Sequence, residues 1–318
     1  MSGIFLPIPN KSEGCWTSQH DKDGYLQVKI RPADAVTVVF VSILLLLTIA
    51  FNSAIPKRLL LISIYTALLI SQFIIIRFRD RNRFLRITYD LVFPIICVII
   101  LFDSLEWVVR YVNPNDIDPL LVRLDYMIFG NHPTVMLEAI MNPLLTDILQ
   151  TAYSTYYFLP VVLGITLLRN NQRKEFDRSL FLILFCFYLS YLGYIIWPAL
   201  GPRFALAHLQ TQRLEGFLIA EPMQNLLNRL EGIKRDAFPS GHTGVALTVL
   251  YLAYNYKRTL FWIYLPVVIL LLFSTVYCRY HYVVDVIAGV ALAAAAIFFG
   301  DIYYKWQEKR EGVDNERL

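Results

Sequence analysis

The stretch Phe238-Pro239-Ser240-Gly241-His242-Thr243-Gly244 sets a hydroxyl, a bare backbone and an imidazole on three successive residues where an apolar run begins. A helix starting there presents unpaired N–H groups and a partial positive charge to an anion. Ser240 can cap that helix and donate to a phosphate, Gly241 lets the backbone amide come close, and His242 can deliver a proton to the bound group. The same stretch also reads as a capped helix with a bystander histidine. The second constellation is Arg279-Tyr280-His281-Tyr282-Val283-Val284-Asp285. On a helix, His281 and Asp285 face the same way, so the carboxylate can hold one imidazole N–H while the other nitrogen is presented to phosphorus as a nucleophile. Its alternative is a structural pair at the membrane interface. In Trp197-Pro198-Ala199-Leu200-Gly201-Pro202-Arg203-Phe204, proline and glycine end a helix and leave Arg203 at its mouth, where a guanidinium can clamp two phosphate oxygens or simply anchor the helix. Lys234 and Arg235 lie just upstream of Phe238 as further phosphate-binding candidates. Together these groups supply an anion clamp, an acid and a nucleophile, the parts that phosphoryl transfer needs.

The elements that must position them are apolar. The 318 residues are 57% hydrophobic and 17% charged, against roughly 45–50% and 25% in soluble domains. Apolar runs bounded by charge predict helices near 33–52, 58–77, 87–109, 148–168, 179–199, 242–256, 259–277 and 283–304, the sixth being the shortest. The fold class expected is an all-α integral membrane protein, a polytopic bundle of about eight transmembrane helices. Arg77, Arg79, Arg81, Arg83 and Arg86 crowd one connection, Arg169, Arg173, Lys174 and Arg178 another, and Lys257 with Arg258 a third. With eight spans these loops share one side, which the positive-inside rule makes cytoplasmic, and Lys305, Lys309 and Arg310 put the C-terminus there too. Lys57 and Arg58 are a minor exception. The motif residues then gather on the non-cytoplasmic face, whether periplasm, lumen or exterior.

The division expected is a cytoplasmic N-terminal segment over 1–32, N-terminal transmembrane helices over 33–110, an external loop with an interfacial helix over 111–147, a catalytic membrane domain over 148–304 and a cytoplasmic tail over 305–318. The net charge of +4 sits mostly in short loops, which is membrane topology and not nucleic-acid binding. Cys15, Cys97, Cys186 and Cys278 are scattered without ligand spacing, so neither a disulfide framework nor a metal cluster is expected. Residues 1–30 lack the compact apolar core of a cleavable signal peptide, and the first span is expected to serve as an uncleaved anchor.

From Trp197 to Gly289 the chain resembles the type 2 phosphatidic acid phosphatase superfamily, whose members carry a basic first motif, a Pro-Ser-Gly-His second motif and a third motif ending in His-x-x-x-Asp. The resemblance implies a six-helix-type catalytic core in which Arg203 and Arg279 bind phosphate and Ser240 and Gly241 line its pocket. It further implies that His242 protonates the leaving group, His281 forms a phosphohistidine and Asp285 supports it, with neither metal nor cofactor. Two positions depart from the pattern. Ile196 stands where the first motif has Lys, and Thr275 where the third has Arg, so Arg279 is left to substitute. The Gly-Pro-Arg-Phe and Tyr-x-Arg-Tyr-His-Tyr forms are more similar to the branch containing inositol phosphorylceramide synthases. So is Asp125-Tyr126-Met127-Ile128-Phe129-Gly130-Asn131-His132-Pro133, although for His132 a place in a partly buried loop or interfacial helix is the simpler reading.

The activity expected is transfer of a phosphoryl or phospho-alcohol head group on a membrane lipid through a phosphohistidine. A lipid phosphate phosphatase acting on phosphatidate, prenyl or sphingoid phosphates shares the same chemistry. A lipid transporter would instead spread its charges through mid-membrane helices, and a metal hydrolase would use His242, His281 and Asp285 as ligands.

Overall fold

The apolar runs fold as helices because a helix pairs its backbone N–H and C=O groups internally, the condition for crossing hydrocarbon. The computed structural model describes residues 19–20, 26–27, 30–51, 53–219, 222–224 and 235–316. Lys234 and Cys15 lie outside them. The helices used below are α1 (Pro32–Ala50), α2 (Arg58–Phe78), α3 (Arg83–Val112), α4 (Asp118–Phe129), α5 (Pro143–Ser154), α6 (Leu159–Arg169), α7 (Arg173–Ile196), α8 (Gly241–Tyr256), α9 (Arg258–Tyr277) and α10 (Val283–Glu316). The strands among the described residues are one short antiparallel pair, Gln19–His20 with Leu26–Gln27.

Local chemistry sets several boundaries. The side chain of Asn82 accepts from Leu85 N at 2.8 Å and that of Asn142 from Leu145 N at 3.0 Å, each capping the helix that follows. α3 widens to a π-turn over Thr88–Val92, immediately before a turn containing Pro94, which has no N–H to donate. Pro160, in the first turn of α6, follows the break at which α5, extended through Tyr157, and α6 bend by 49°.

Among the described residues six helices are long and apolar enough to cross a membrane, and seven if the bent α5–α6 pair is one span; the chain is a multi-pass membrane protein. The count of eight read from hydropathy is not reached. Its sixth run folds as α8, which has 16 residues, about 24 Å of helix at 1.5 Å per residue where a span needs about 20 residues.

α7 is the central post, packed by α1, α3, α6, α8 and α10. Phe40 of α1 stacks on Tyr188 of α7 with ring centroids 4.7 Å apart, and Thr37 Oγ1 lies 3.1 Å from the Tyr188 hydroxyl. The first turns of α7 are tied down by charge. Fully buried Arg31 reaches Asp34 at 3.3 Å, Asp90 at 3.0 Å and Asp177 at 3.4 Å, and Arg173 pairs with Asp90 and Asp177. Arg178 of α7 bonds Asp301 of α10 at 2.6 Å. These pairs occupy the end of the bundle away from the three motifs.

Candidate active site

The start of α8 is built by its own sequence. Ser240 is its N-cap, and the Oγ accepts from Thr243 N at 3.3 Å and from the Thr243 hydroxyl at 3.1 Å. The Ser240 N–H donates to the backbone carbonyl of Asp285 at 3.1 Å, so the second and third motifs are joined main chain to main chain. Gly289 permits this approach: a Cβ there would stand 2.6 Å from both Ser240 O and Thr243 Cβ. At Gly241 a Cβ would collide with the Tyr194 hydroxyl, so a side chain is excluded where the helix terminus faces the site.

His281 is 3% exposed. Its Nδ1 lies 2.8 Å from the carbonyl of Ala237 and 3.5 Å from Asp285 Oδ2. A carbonyl can only accept, so Nδ1 carries the proton and the lone pair is on Nε2. That Nε2 faces His242 Nδ1 at 3.4 Å. The His242 ring is held against Tyr153 and Tyr156, with centroids 4.5 and 4.2 Å away, and Tyr153 also stacks on Tyr280 at 4.3 Å. Among the buried side-chain atoms without a hydrogen-bond partner are His242 Nε2, Asp285 Oδ1 and Arg279 Nε. The second Asp285 oxygen accepts from Tyr282 N at 2.9 Å. Buried polar atoms left open in a native fold call for a ligand or water.

Sequence reasoning missed the contribution of α4. The carboxylate of Asp125 accepts from Val283 N at 3.0 Å and Val284 N at 2.9 Å, capping the helix that carries Asp285. Burial pushes the Asp125 carboxyl above the usual carboxylate range, against the pull of these two donors and of His132. Asp118 accepts from Leu200 N at 2.8 Å, Gly201 N at 2.9 Å and the Tyr282 hydroxyl at 2.8 Å. One helix thus holds both the loop of Arg203 and the loop of His281. Gly201, at φ +91, lets the first of these pass the Tyr280 carbonyl, which a Cβ would meet at 2.8 Å. No local signal in the sequence links Asp118 or Asp125 to such distant partners, although Asp125 opens the segment similar to the inositol phosphorylceramide synthase branch.

The basic candidates separate. Arg279, in the left-handed region at φ +64, bonds Glu138 at 2.7 Å, the Gln212 carbonyl at 2.8 Å and Gln210 Oε1 at 3.3 Å. Burial lowers its pKa from the usual arginine value, and Glu138 opposes that shift. Arg279 and Arg203 line one polar cavity of about 800 Å³, together with Gln210, Thr211, Gln212 and Arg213. Arg235 does not line that cavity and pairs with Asp116. Thr275 is buried, and its carbonyl accepts from Tyr280 N and His281 N at 2.9 and 3.0 Å, whereas Ile196 is exposed. His132 packs on Tyr126 at the end of α4, with centroids 5.4 Å apart. Among the described residues no group of three or more His, Cys, Asp and Glu side chains is arranged to hold a metal ion, and Cys97, Cys186 and Cys278 are buried free thiols.

The two histidines, with one imidazole lone pair and one imidazole N–H, stand together at the starts of α8 and α10, whereas the cavity lined by Arg203 and Arg279 includes none of Ser240, Gly241, His242 and His281. The family model described as PAP2 superfamily matches residues 120–299, more than half of the chain. Over 186 residues the chain is 25% identical to a PA-phosphatase related-family protein of Dictyostelium discoideum, a stretch covering 52% of this chain and 34% of that relative. No solved structure matches the chain.

Proposed function

This chain belongs to the PAP2 superfamily, and from that premise we propose that it is a membrane phosphotransferase moving a phosphoryl or phospho-alcohol head group from one lipid to an alcohol. The observation that carries the reading is the buried pair of imidazoles, His281 Nε2 and His242 Nδ1, 3.4 Å apart. His281 Nε2 attacks phosphorus, the bond to the leaving oxygen breaks, and protonated His242 gives that oxygen its proton. An acceptor hydroxyl then attacks the phosphohistidine, returns its proton to His242 and frees His281. Asp285 offsets the positive charge that grows on the His281 ring. Arg203, Arg279 and the α8 terminus, through Ser240 and Gly241, take the charge on the equatorial oxygens, the largest contribution expected, and the scheme asks for no metal ion.

Transfer to an alcohol is favoured by the polar cavity beside the arginines, whose glutamine and threonine side chains suit a head group with several hydroxyls. It is the reading under which the chain resembles the inositol phosphorylceramide synthase-like branch. Hydrolysis is the second reading, favoured by the name of the Dictyostelium relative; water would then resolve the same intermediate. The basic loops at the opposite end of the bundle support a non-cytoplasmic site carried by a catalytic domain over 148–304. Product analysis of the purified protein, with a panel of lipid phosphates, phospholipids and polyol acceptors, tests both readings. A new phospholipid marks transfer and free phosphate marks hydrolysis. Full turnover in His281→Ala or Asp285→Ala on every substrate overturns the mechanism.

A further inference from the structure

An apolar groove of about 170 Å³ runs along α7 between α3 and α6. Leu91, Pro94 and Val98 form one wall, Pro160 and Gly164 the other, and Ile183 lies at its base. Its upper end is bounded by Tyr157 and Phe187. Both touch Tyr156, at 5.2 and 5.9 Å between centroids, and Tyr156 packs in turn on His242 at 4.2 Å. The lower end is closed by Asp90, held by Arg31 and Arg173, and by Ser179, whose hydroxyl is buried without a hydrogen-bond partner. The groove opens to the outside of the bundle, where Ile99 on its rim is 55% exposed. Gly164 keeps it open: a Cβ there would already stand 3.3 Å from Phe176 Cε2 and 3.7 Å from Leu91 Cδ2.

We propose that this groove receives one hydrocarbon chain of the lipid whose phosphate is handled at His281, and that its charged floor sets the preferred chain length. The inference rests on the phosphoryl-transfer reading of the site. Along α7 the lining runs from Phe176 to Phe187, about 16 Å at 1.5 Å rise per residue, the reach of an extended chain of roughly a dozen carbons. A chain laid there from the head-group end passes one ring away from His242 and stops at Asp90. A longer chain has to turn out into the bilayer, because the floor is an ion cluster that methylene groups cannot solvate. Leaving a bilayer for a protein groove yields no hydrophobic free energy, so selectivity comes from packing and shape.

The test compares hexadecyl and butyl [³²P]phosphate in detergent micelles, following loss of the labelled ester whatever the acceptor. Ile99→Trp adds bulk at an exposed rim and spares the core, and Gly164→Phe fills the groove from within. Both are expected to raise KM for the hexadecyl ester at least tenfold relative to the butyl ester, with kcat on the butyl ester unchanged. A long-to-short ratio within twofold of wild type in Ile99→Trp, or equal loss on both esters, overturns the groove. A second readout does not need turnover. A dodecyl phosphate carrying a diazirine at the chain end is expected to label α3, α6 or α7 between the lining residues, and Ile99→Trp to abolish the labelling. Labelling elsewhere overturns the proposal. A wild type that labels in the groove but turns over neither ester sinks the transfer reading and leaves the groove standing.

Discussion

Asp285→Asn separates two roles that a carboxylate beside a histidine can play. Where a carboxylate sets the tautomer, its amide replacement costs about 10⁴ in rate. Here the Ala237 carbonyl, at 2.8 Å, already holds the proton on His281 Nδ1, and Asp285 stands farther off at 3.5 Å. What the amide removes is charge. An imidazolium and a carboxylate 3.5 Å apart attract by about 5 kcal/mol at an effective dielectric of 20, as an upper bound. The Asn oxygen still accepts from Tyr282 N, so the loop is kept. Recovering half or more of that attraction in the transition state gives an expected loss of about 10² to 10³ in phosphohistidine formation. Rapid-quench single turnover with a ³²P-labelled lipid phosphate, scored for acid-labile protein-bound label, measures it. A loss under threefold refutes the electrostatic role. A loss equal to that of His281→Ala refutes the claim that Ala237 holds the ring.

Asp125→Ala leaves Val283 N and Val284 N without their acceptor and should lower stability by about 2–4 kcal/mol, seen as earlier thermal unfolding in detergent, with Asp125→Asn intermediate. Gly289→Ala forces a Cβ against the Ser240 carbonyl and should cut kcat by about 10² through misplacement of Ser240, with the protein still folded by circular dichroism. Arg31→Met removes the cation shared by Asp34, Asp90 and Asp177, of which the last two keep Arg173, and should cost about 3 kcal/mol, read as lost yield of folded protein and a lowered melting temperature.

What the sequence revealed of the site was what short-range chemistry encodes. Ser240 caps the helix it begins, and His281 and Asp285 share one helical start, so each could be placed from its neighbours. The holding groups could not. Ala237 meets His281 across 44 residues, Asp118 meets Gly201 across 83, and Asp125 meets Val283 across 158. Arg235 belonged to the same basic patch as Lys234 by sequence, yet Asp116, 119 residues away, claims it. The helical membrane class followed from the length of the apolar runs, but the count did not. Hydropathy registers how apolar a run is and not where its backbone breaks, and so it carried no sign of the bend between α5 and α6, while the 16-residue α8 falls short of the length that marks a full span.

The ion cluster around Arg31 bears on how the molecule divides. Asp177 and Arg173 sit at the foot of the post against which α8 and α10 are packed, and their partners come from α1 and α3. A protein cut down to its motif-bearing helices would therefore expose a carboxylate and a guanidinium built to be covered, at the base of the same helix whose other end backs the two histidines. The N-terminal helices are in this sense foundation and not mooring: remove them, and the first thing to lean is the wall behind the two histidines.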